Sequence, residues 1–130
     1  MTQKDRELLL RDLCARLPYG VIVYTPNGRG YVCEINFTIF GYELGVNINP
    51  IIRDTFSIND VKPYLFPLSS MTEEEKEEYC QLQQRVIYNS KGVVNEDVIK
   101  YINWCYKKHL DINNLIPMGL AIDETGLNIY

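Results

Sequence analysis

Apolar residues recur along this chain first with the period of a helix and then with the period of a strand. Near the N-terminus, one helical face carries four leucines at the spacing i, i+1, i+4 and i+8, namely Leu9, Leu10, Leu13 and Leu17. Thr2 followed by Asp5 is a variant of the capping box that begins helices. Pro18 disfavours helical geometry at the residue before it. The pattern predicts a helix over residues 4–16.

The next segment has the alternation of a β-hairpin over residues 20–37. Residues 20–25 are β-branched and aromatic, and Pro26, Asn27 and Gly28 favour the backbone geometries of a turn. In the return strand, residues 29–37, polar and apolar positions alternate, with the apolar ones at Tyr31, Cys33, Ile35 and Phe37. This period of two predicts a half-buried antiparallel strand.

Beyond the hairpin the pattern predicts one or two further strands. Residues 38–46 fit a third strand in which Gly41 marks a bend. Residues 47–56 are ambiguous: residues 47–50 favour a loop, and residues 51–56 fit a short edge strand. Ser57 has the spacing of a helix cap, so we expect a short helix over residues 58–65.

The second half of the chain predicts two longer helices. Thr72 and Glu75 form a full capping box before residues 72–86, and Asn95 caps residues 96–110. Residues 89–92 separate these helices. The tail, residues 111–130, is predicted as a turn, a short helical segment ended by Pro117 or Gly119, and a final extended piece.

These elements predict an α+β fold in a single compact domain of residues 1–130. A small antiparallel sheet (hairpin 20–37 plus one or two further strands) would pack against three main helices (about 4–16, 72–86 and 96–110). The chain is 46% hydrophobic and contains ten tyrosines, enough to fill one core. No stretch approaches the roughly 20 apolar residues of a membrane span. The N-terminus lacks the apolar region of a signal peptide, so we expect a cytoplasmic location without membrane binding.

Charge and cysteine usage narrow the function classes. The net charge is −4, whereas binding to the DNA backbone needs clustered positive charge, so duplex DNA is not an expected partner. The four cysteines form no CxxC pair and are predicted as small buried hydrophobes. Cys105 and His109 share one helical face, but zinc needs three or four ligands and the chain has no second histidine. We therefore expect a core pair there and neither a metal nor a cofactor.

Catalytic signatures are also missing from the sequence. The acidic residues 73–78 are most simply a solvated helix start, and the glycines around Arg29 precede a strand and so do not match a phosphate-binding loop. The sequence therefore favours a protein that is not an enzyme, with no catalytic residues assigned. The alternative is a hydrolytic enzyme in which His109 or a group of carboxylates acts as the catalytic base or acid.

The last long helix carries the candidate binding surface. At about 100° per residue, one arc forms the predicted core face and contains Val98, Ile99, Ile102, Cys105, Tyr106, His109 and Leu110. Trp104 lies on the other side, near Tyr101, Lys100 and Lys108. An aromatic pair beside lysines predicts contact with a partner protein or a small anionic ligand. In the alternative interpretation, residues 115–130 fold back and cover Trp104.

Three segments of the chain carry a resemblance to a known family: LLRDLCARLPYGV (9–21), VKPYLFPLSSMTEEEKEE (61–78) and INWCYKKHLDINNLIPMGL (102–120). They resemble short proteins encoded by phages and prophages of gut Bacteroidetes, which commonly show ARLPYGV, VKPYL.P.SSMTEEE and DWLN..H.D..GLI..GLA in this order. Here Asn103 replaces the usual Asp, Cys105 and Tyr106 replace Leu-Asn, and Pro117 interrupts the last motif. Residues 29–60 are the variable part.

The resemblance implies a phage origin and an intracellular accessory role, and it transfers no activity and no catalytic residue. Together with the residue patterns, it leads us to expect a non-catalytic protein in the host cytoplasm. Such a protein would bind a host protein or sequester a small anionic ligand such as a signalling nucleotide. The alternatives are a small nucleotide-modifying or hydrolytic enzyme and a virion assembly component. The oligomeric state is open.

Overall fold

A computed structural model of the chain describes residues 1–48, 52–88 and 96–130. Its three helices are α1 (Gln3–Arg16), α2 (Glu73–Tyr88) and α3 (Glu96–Lys107). Its six strands are β1 (Ile22–Thr25), β2 (Gly28–Thr38), β3 (Gly41–Asn47), β4 (Arg53–Ser57), β5 (Lys62–Leu65) and β6 (Ile122–Asp123). They form one sheet in the order β4-β3-β2-β1-β5-β6, antiparallel except for the β5–β6 pair. The predicted α+β class is confirmed, with more strands than expected.

Both predicted capping boxes are present. The hydroxyl of Thr2 accepts the Asp5 N–H at 3.1 Å, and the Asp5 carboxylate accepts the Thr2 N–H at 3.2 Å. The same reciprocal pair joins Thr72 and Glu75, at 3.0 and 3.1 Å. Each box gives hydrogen-bond acceptors to backbone N–H groups that would otherwise bond only to water at the start of the helix. Such a cap typically adds about 1 kcal/mol to the free energy of unfolding. The predicted cap Asn95 and the break at residues 89–92 lie outside the described residues.

The core lies between α1 and one face of the sheet. Leu9 and Leu13 of α1 are buried against side chains from the first five strands and from the tail. The strand and tail members are Val23, Val32, Leu44, Val46, Phe56, Leu65, Leu115, Leu120 and Ala121. Among the described residues, no helix is long and apolar enough to cross a membrane.

A β-bulge in β2 corrects the predicted alternation of that strand. The register shifts between Val32 and Glu34, so Cys33 is the extra residue. Val32 faces the core before the bulge and Ile35 packs against it afterwards, while Tyr31 and Cys33 are exposed. An inserted residue reverses the face on which later side chains lie. Tyr31 and Ile35 therefore do not share a face, as strict alternation would require.

The helix predicted over residues 58–65 is wrong. Ser57 caps only a single 3₁₀ turn, Ile58–Asp60, and β5 follows directly. Pro63 has no N–H for a helical hydrogen bond, whereas in β5 its direct partner is Val23 of β1. Residues 62–65 form a strand because they pair with the edge of β1. The sequence of residues 58–65 alone does not show that this distant partner is available.

The expected burial of α3 is also corrected. Ile99 and Ile102 were placed on the core face, but they are 50% and 36% exposed. Cys105 is buried there. The other three cysteines, Cys14, Cys33 and Cys80, are exposed, so the expectation of four buried thiols is wrong. The predicted core face of α3 is therefore only partly buried, and on the other side of the helix Tyr101 and Trp104 pack against Tyr79 of α2.

Helix α3 ends at a Schellman motif, three residues before the predicted end. His109 adopts φ +58°, its N–H bonds to the Tyr106 carbonyl, and the Leu110 N–H bonds to the Cys105 carbonyl, each at 3.0 Å. The same pattern recurs in the tail at Gly119, whose φ is +74°. The predicted short helical segment of the tail is not a helix in the structure: residues 115–119 form a hydrogen-bonded turn that ends at Gly119.

A buried ion pair joins α1 to the end of α3. The Arg16 guanidinium donates to both carboxylate oxygens of Asp12, at 2.8 and 3.0 Å, and Nη2 also donates to the Leu110 carbonyl at 2.6 Å. The Asn113 amide donates to Asp12 at 2.8 Å, and the Tyr106 ring lies 4.9 Å from Arg16 Cζ. Both charged side chains are fully buried. The pair therefore connects α1 to residues 106–113, which lie about 90 positions later in the chain.

Asp12→Ala should lower the free energy of unfolding by about 3–5 kcal/mol, because it leaves the buried Arg16 charge without its partner. The matched control is Lys76→Ala, which breaks the exposed pair with Glu73 and should change stability by less than about 0.5 kcal/mol. Denaturant unfolding of both variants measures the difference. Equal effects would contradict the assigned role of the buried pair.

Candidate binding surfaces

The predicted site residues Tyr101 and Trp104 lie at the contact between α2 and α3. The Tyr101 hydroxyl donates to the Tyr79 hydroxyl at 3.0 Å and accepts from the Gln83 amide at 3.3 Å. The Tyr79 ring lies 5.5 Å from the Tyr101 ring and 6.2 Å from the Trp104 ring. Burial, and secondarily the hydrogen bond to Tyr101, raises the pKa of Tyr79. The aromatic pair therefore helps to hold the two helices together.

The two lysines of the predicted site have different surroundings. Lys108 Nζ lies 6.0 Å from the Trp104 ring centroid, at the outer limit of a cation–π contact. Lys100 is exposed on the same helix. Lys108 also lines a cleft of about 280 Å³ together with Glu75 and Phe66. A carboxylate in that cleft opposes the binding of an anion beside Lys108.

The end of the tail lies against His109 and the strands. Tyr130 stacks on the His109 imidazole, with ring centroids 3.6 Å apart and planes 12° from parallel. Its hydroxyl accepts the Ile22 N–H at 3.0 Å and donates to the Tyr64 carbonyl at 2.8 Å. Trp104 is half-buried, and the ring that it contacts is Tyr79 of α2. Helix α2 therefore packs against Trp104, whereas the alternative interpretation expected residues 115–130 to cover it.

The local environment disfavours chemistry at Cys105 and His109. Burial raises the pKa of the Cys105 thiol to about 11, so the reactive thiolate is scarce at neutral pH. Burial and then the Arg16 charge lower the pKa of His109 to about 4. The stacked Tyr130 ring covers the imidazole. No group of three or more potential metal-binding side chains occurs within residues 1–48, 52–88 and 96–130.

A surface that the sequence reasoning missed lies at the tip of the β2–β3 hairpin. Phe37, Ile39 and Phe40 are 75%, 94% and 84% exposed, and Tyr42 is exposed beside them. We call these four residues the hairpin tip. The available signal was an apolar pair, Ile39 and Phe40, in front of the turn residue Gly41, where turns usually carry polar side chains. Contiguous exposed apolar groups of this kind mark interaction sites.

Comparison with protein-family models, with curated proteins and with solved structures finds no match for this chain. The choice between its surfaces therefore depends on geometry and chemistry.

Trp104→Ala should lower the free energy of unfolding by about 1–3 kcal/mol, because the indole is half-buried between two helices. Ile102→Ala, on the exposed side of the same helix, should stay within about 0.5 kcal/mol of the wild type. Thermal or denaturant unfolding distinguishes them. A Trp104→Ala protein as stable as the wild type would show that the indole is a free surface group.

His109 should make stability depend on pH. Its pKa is about 4 in the folded chain and about 6.5 when unfolded. Between these values the unfolded chain binds the extra proton, so stability falls as pH drops from 6.5 to 4, by at most about 1.4 kcal/mol per unit. His109→Asn, which tolerates positive φ, should flatten this slope in denaturant unfolding series. An unchanged slope would rule out His109 as its source.

Proposed function

We propose that this chain is a non-catalytic binding protein, an accessory protein of the phage-encoded type that its sequence resembles. It acts in the host cytoplasm by inserting the hairpin tip into an apolar pocket of a host protein. The single observation that carries this proposal is the exposure of Ile39 and Phe40, 94% and 84%, at the end of a hairpin.

The hairpin tip is organised before any partner arrives. The Thr38 hydroxyl accepts the Phe40 N–H at 3.1 Å and donates to the Gly41 carbonyl at 3.0 Å, which closes the turn. The Phe37 and Tyr42 rings meet across the two strands at 5.1 Å. A surface already held in one conformation loses less entropy on binding, which favours affinity.

The surroundings of the hairpin tip supply a polar rim. A groove of about 320 Å³ separates the tip from the start of α1 and is lined by Gln3, Arg6 and Glu7 from the helix. Asn59 lines it from the sheet side. Specific interfaces combine an apolar centre with such a rim. Because the apolar groups protrude, the partner surface that fits them is concave.

The enzyme alternative has less support. An enzyme of this kind needs a base that exchanges protons with a substrate. The His109 imidazole is poorly suited to this role because Tyr130 covers it and because burial lowers its pKa. The hairpin tip needs no reacting group. Four apolar side chains displacing water supply the driving force for association.

The experiment compares three immobilised proteins: wild type, the tip variant Ile39→Asp/Phe40→Asp and the control Ile99→Asp/Met118→Asp, whose residues are exposed elsewhere. Host protein retained by wild type and control, and lost by the tip variant, is purified. Its Kd is then measured by calorimetry. We expect the tip variant to bind at least about 30-fold more weakly, as for a hot spot of 2 kcal/mol.

Two results would contradict the proposal. The purified partner could bind the tip variant as tightly as the wild type. Alternatively, sedimentation could show that the wild type forms oligomers and that the tip variant does not. The hairpin tip would then join copies of this chain, as expected for an assembly component.

A further inference from the structure

The sheet has a second face, opposite α1 and the core, that carries a distinct set of side chains. Direct partners in neighbouring antiparallel strands share a face. Ile22 of β1 is opposite Tyr31 of β2, and Tyr31 is opposite Asn47 of β3. Arg29, two residues before Tyr31, lies on the same face. We call this surface the open face.

A cavity of about 680 Å³ lies on the open face. It is lined by Arg29, Tyr31 and Asn47 from the strands, and by Asn128 and Ile129 from the tail. Ligand sites for small molecules typically measure about 300–1,000 Å³. The size therefore suits a molecule as large as a mononucleotide.

The tail forms a fixed wall of this cavity. The Ile129 N–H donates to the buried Glu124 carboxylate at 2.8 Å. The next residue, Tyr130, is bound by its hydroxyl to Ile22 and Tyr64, in the neighbouring strands β1 and β5. Ile129 and the residue after it are therefore held in place, so this wall of the cavity has its shape before a ligand enters.

The polar groups of the cavity are available to a ligand. Within the described part of the chain, the Arg29 guanidinium has no ion pair and no side-chain hydrogen bond. Arg53, which lies opposite Asn47 in β4, is instead neutralised by Glu34. Tyr31 is 54% exposed and offers its ring. The amides of Asn47 and Asn128 add donors and acceptors.

We propose that the open face binds a small ligand composed of a planar ring and a phosphate group, a mononucleotide being the simplest example. Arg29 binds the phosphate through its paired N–H donors, and Tyr31 stacks on the ring. Ile22 and Ile129 provide the apolar part of the lining. A long nucleic acid fits less well, because the net charge is −4 and a strand requires a track of cations.

Calorimetric titration with the four ribonucleoside monophosphates tests this site, with adenosine, inorganic phosphate and a single-stranded oligonucleotide as separate arms. Arg29→Ala should weaken mononucleotide binding by about tenfold or more and leave adenosine binding unchanged. Arg29→Lys keeps the positive charge without the paired N–H donors, so its affinity for the mononucleotide should lie between those of the wild type and of Arg29→Ala. Tyr31→Ala should weaken mononucleotide and adenosine alike. Arg11→Ala, at an exposed residue of α1 outside the cavity lining, is the matched control.

Three outcomes would overturn the proposal: no mononucleotide binding by the wild type at millimolar concentration, equal affinity for inorganic phosphate and mononucleotide, or tighter binding of a single-stranded oligonucleotide. Circular dichroism of each variant confirms that the fold is retained. The hairpin tip does not contribute to this cavity, so the result is independent of the proposed partner protein.

Discussion

The buried ion pair between Asp12 and Arg16 fixes how α1 meets the end of α3. Two opposite charges without access to water are tolerated only when their hydrogen bonds are nearly complete. Here the completing groups come from distant parts of the chain: the Leu110 carbonyl, the Asn113 amide and the Tyr106 ring. These contacts hold helix α1, the end of α3 and the segment after it in one arrangement, in which Arg16 Nη1 alone among the guanidinium nitrogens has no hydrogen-bond partner from the described residues.

The same arrangement shapes the far side of the sheet. For Leu110 to present its carbonyl to Arg16, α3 must stop and reverse, which the positive φ of His109 allows. The reversal places the His109 imidazole against Tyr130. Tyr130 in turn bridges β1 and β5 and holds the tail beside the open face. Core, tail and cavity wall are therefore linked through a short series of contacts.

The surfaces suited to binding are those that this network leaves uncovered. Tyr101 and Trp104, the aromatic pair first predicted to meet a partner, are used largely to join α2 and α3. The hairpin tip extends past the core, and the open face has only the end of the tail beside its cavity. That the excess of tyrosine serves recognition stays a prediction. Which tyrosines are exposed depended on a bulge at Cys33 and on helix packing, neither of which has a local sequence signature.

The sequence by itself determined the elements whose stabilising contacts are local. The capping boxes at Thr2 and Thr72 join residues three apart, and the first hairpin turns at Pro26 and Asn27, so the chain carries the information within a few positions. The tertiary structure alone decided that residues 62–65 pair as a strand, that Ile99 and Ile102 face outward, and that Arg29 and Tyr31 line one cavity. Each of these outcomes depends on a partner far away in sequence, and a local pattern does not specify which distant surface will be available to bury or pair it.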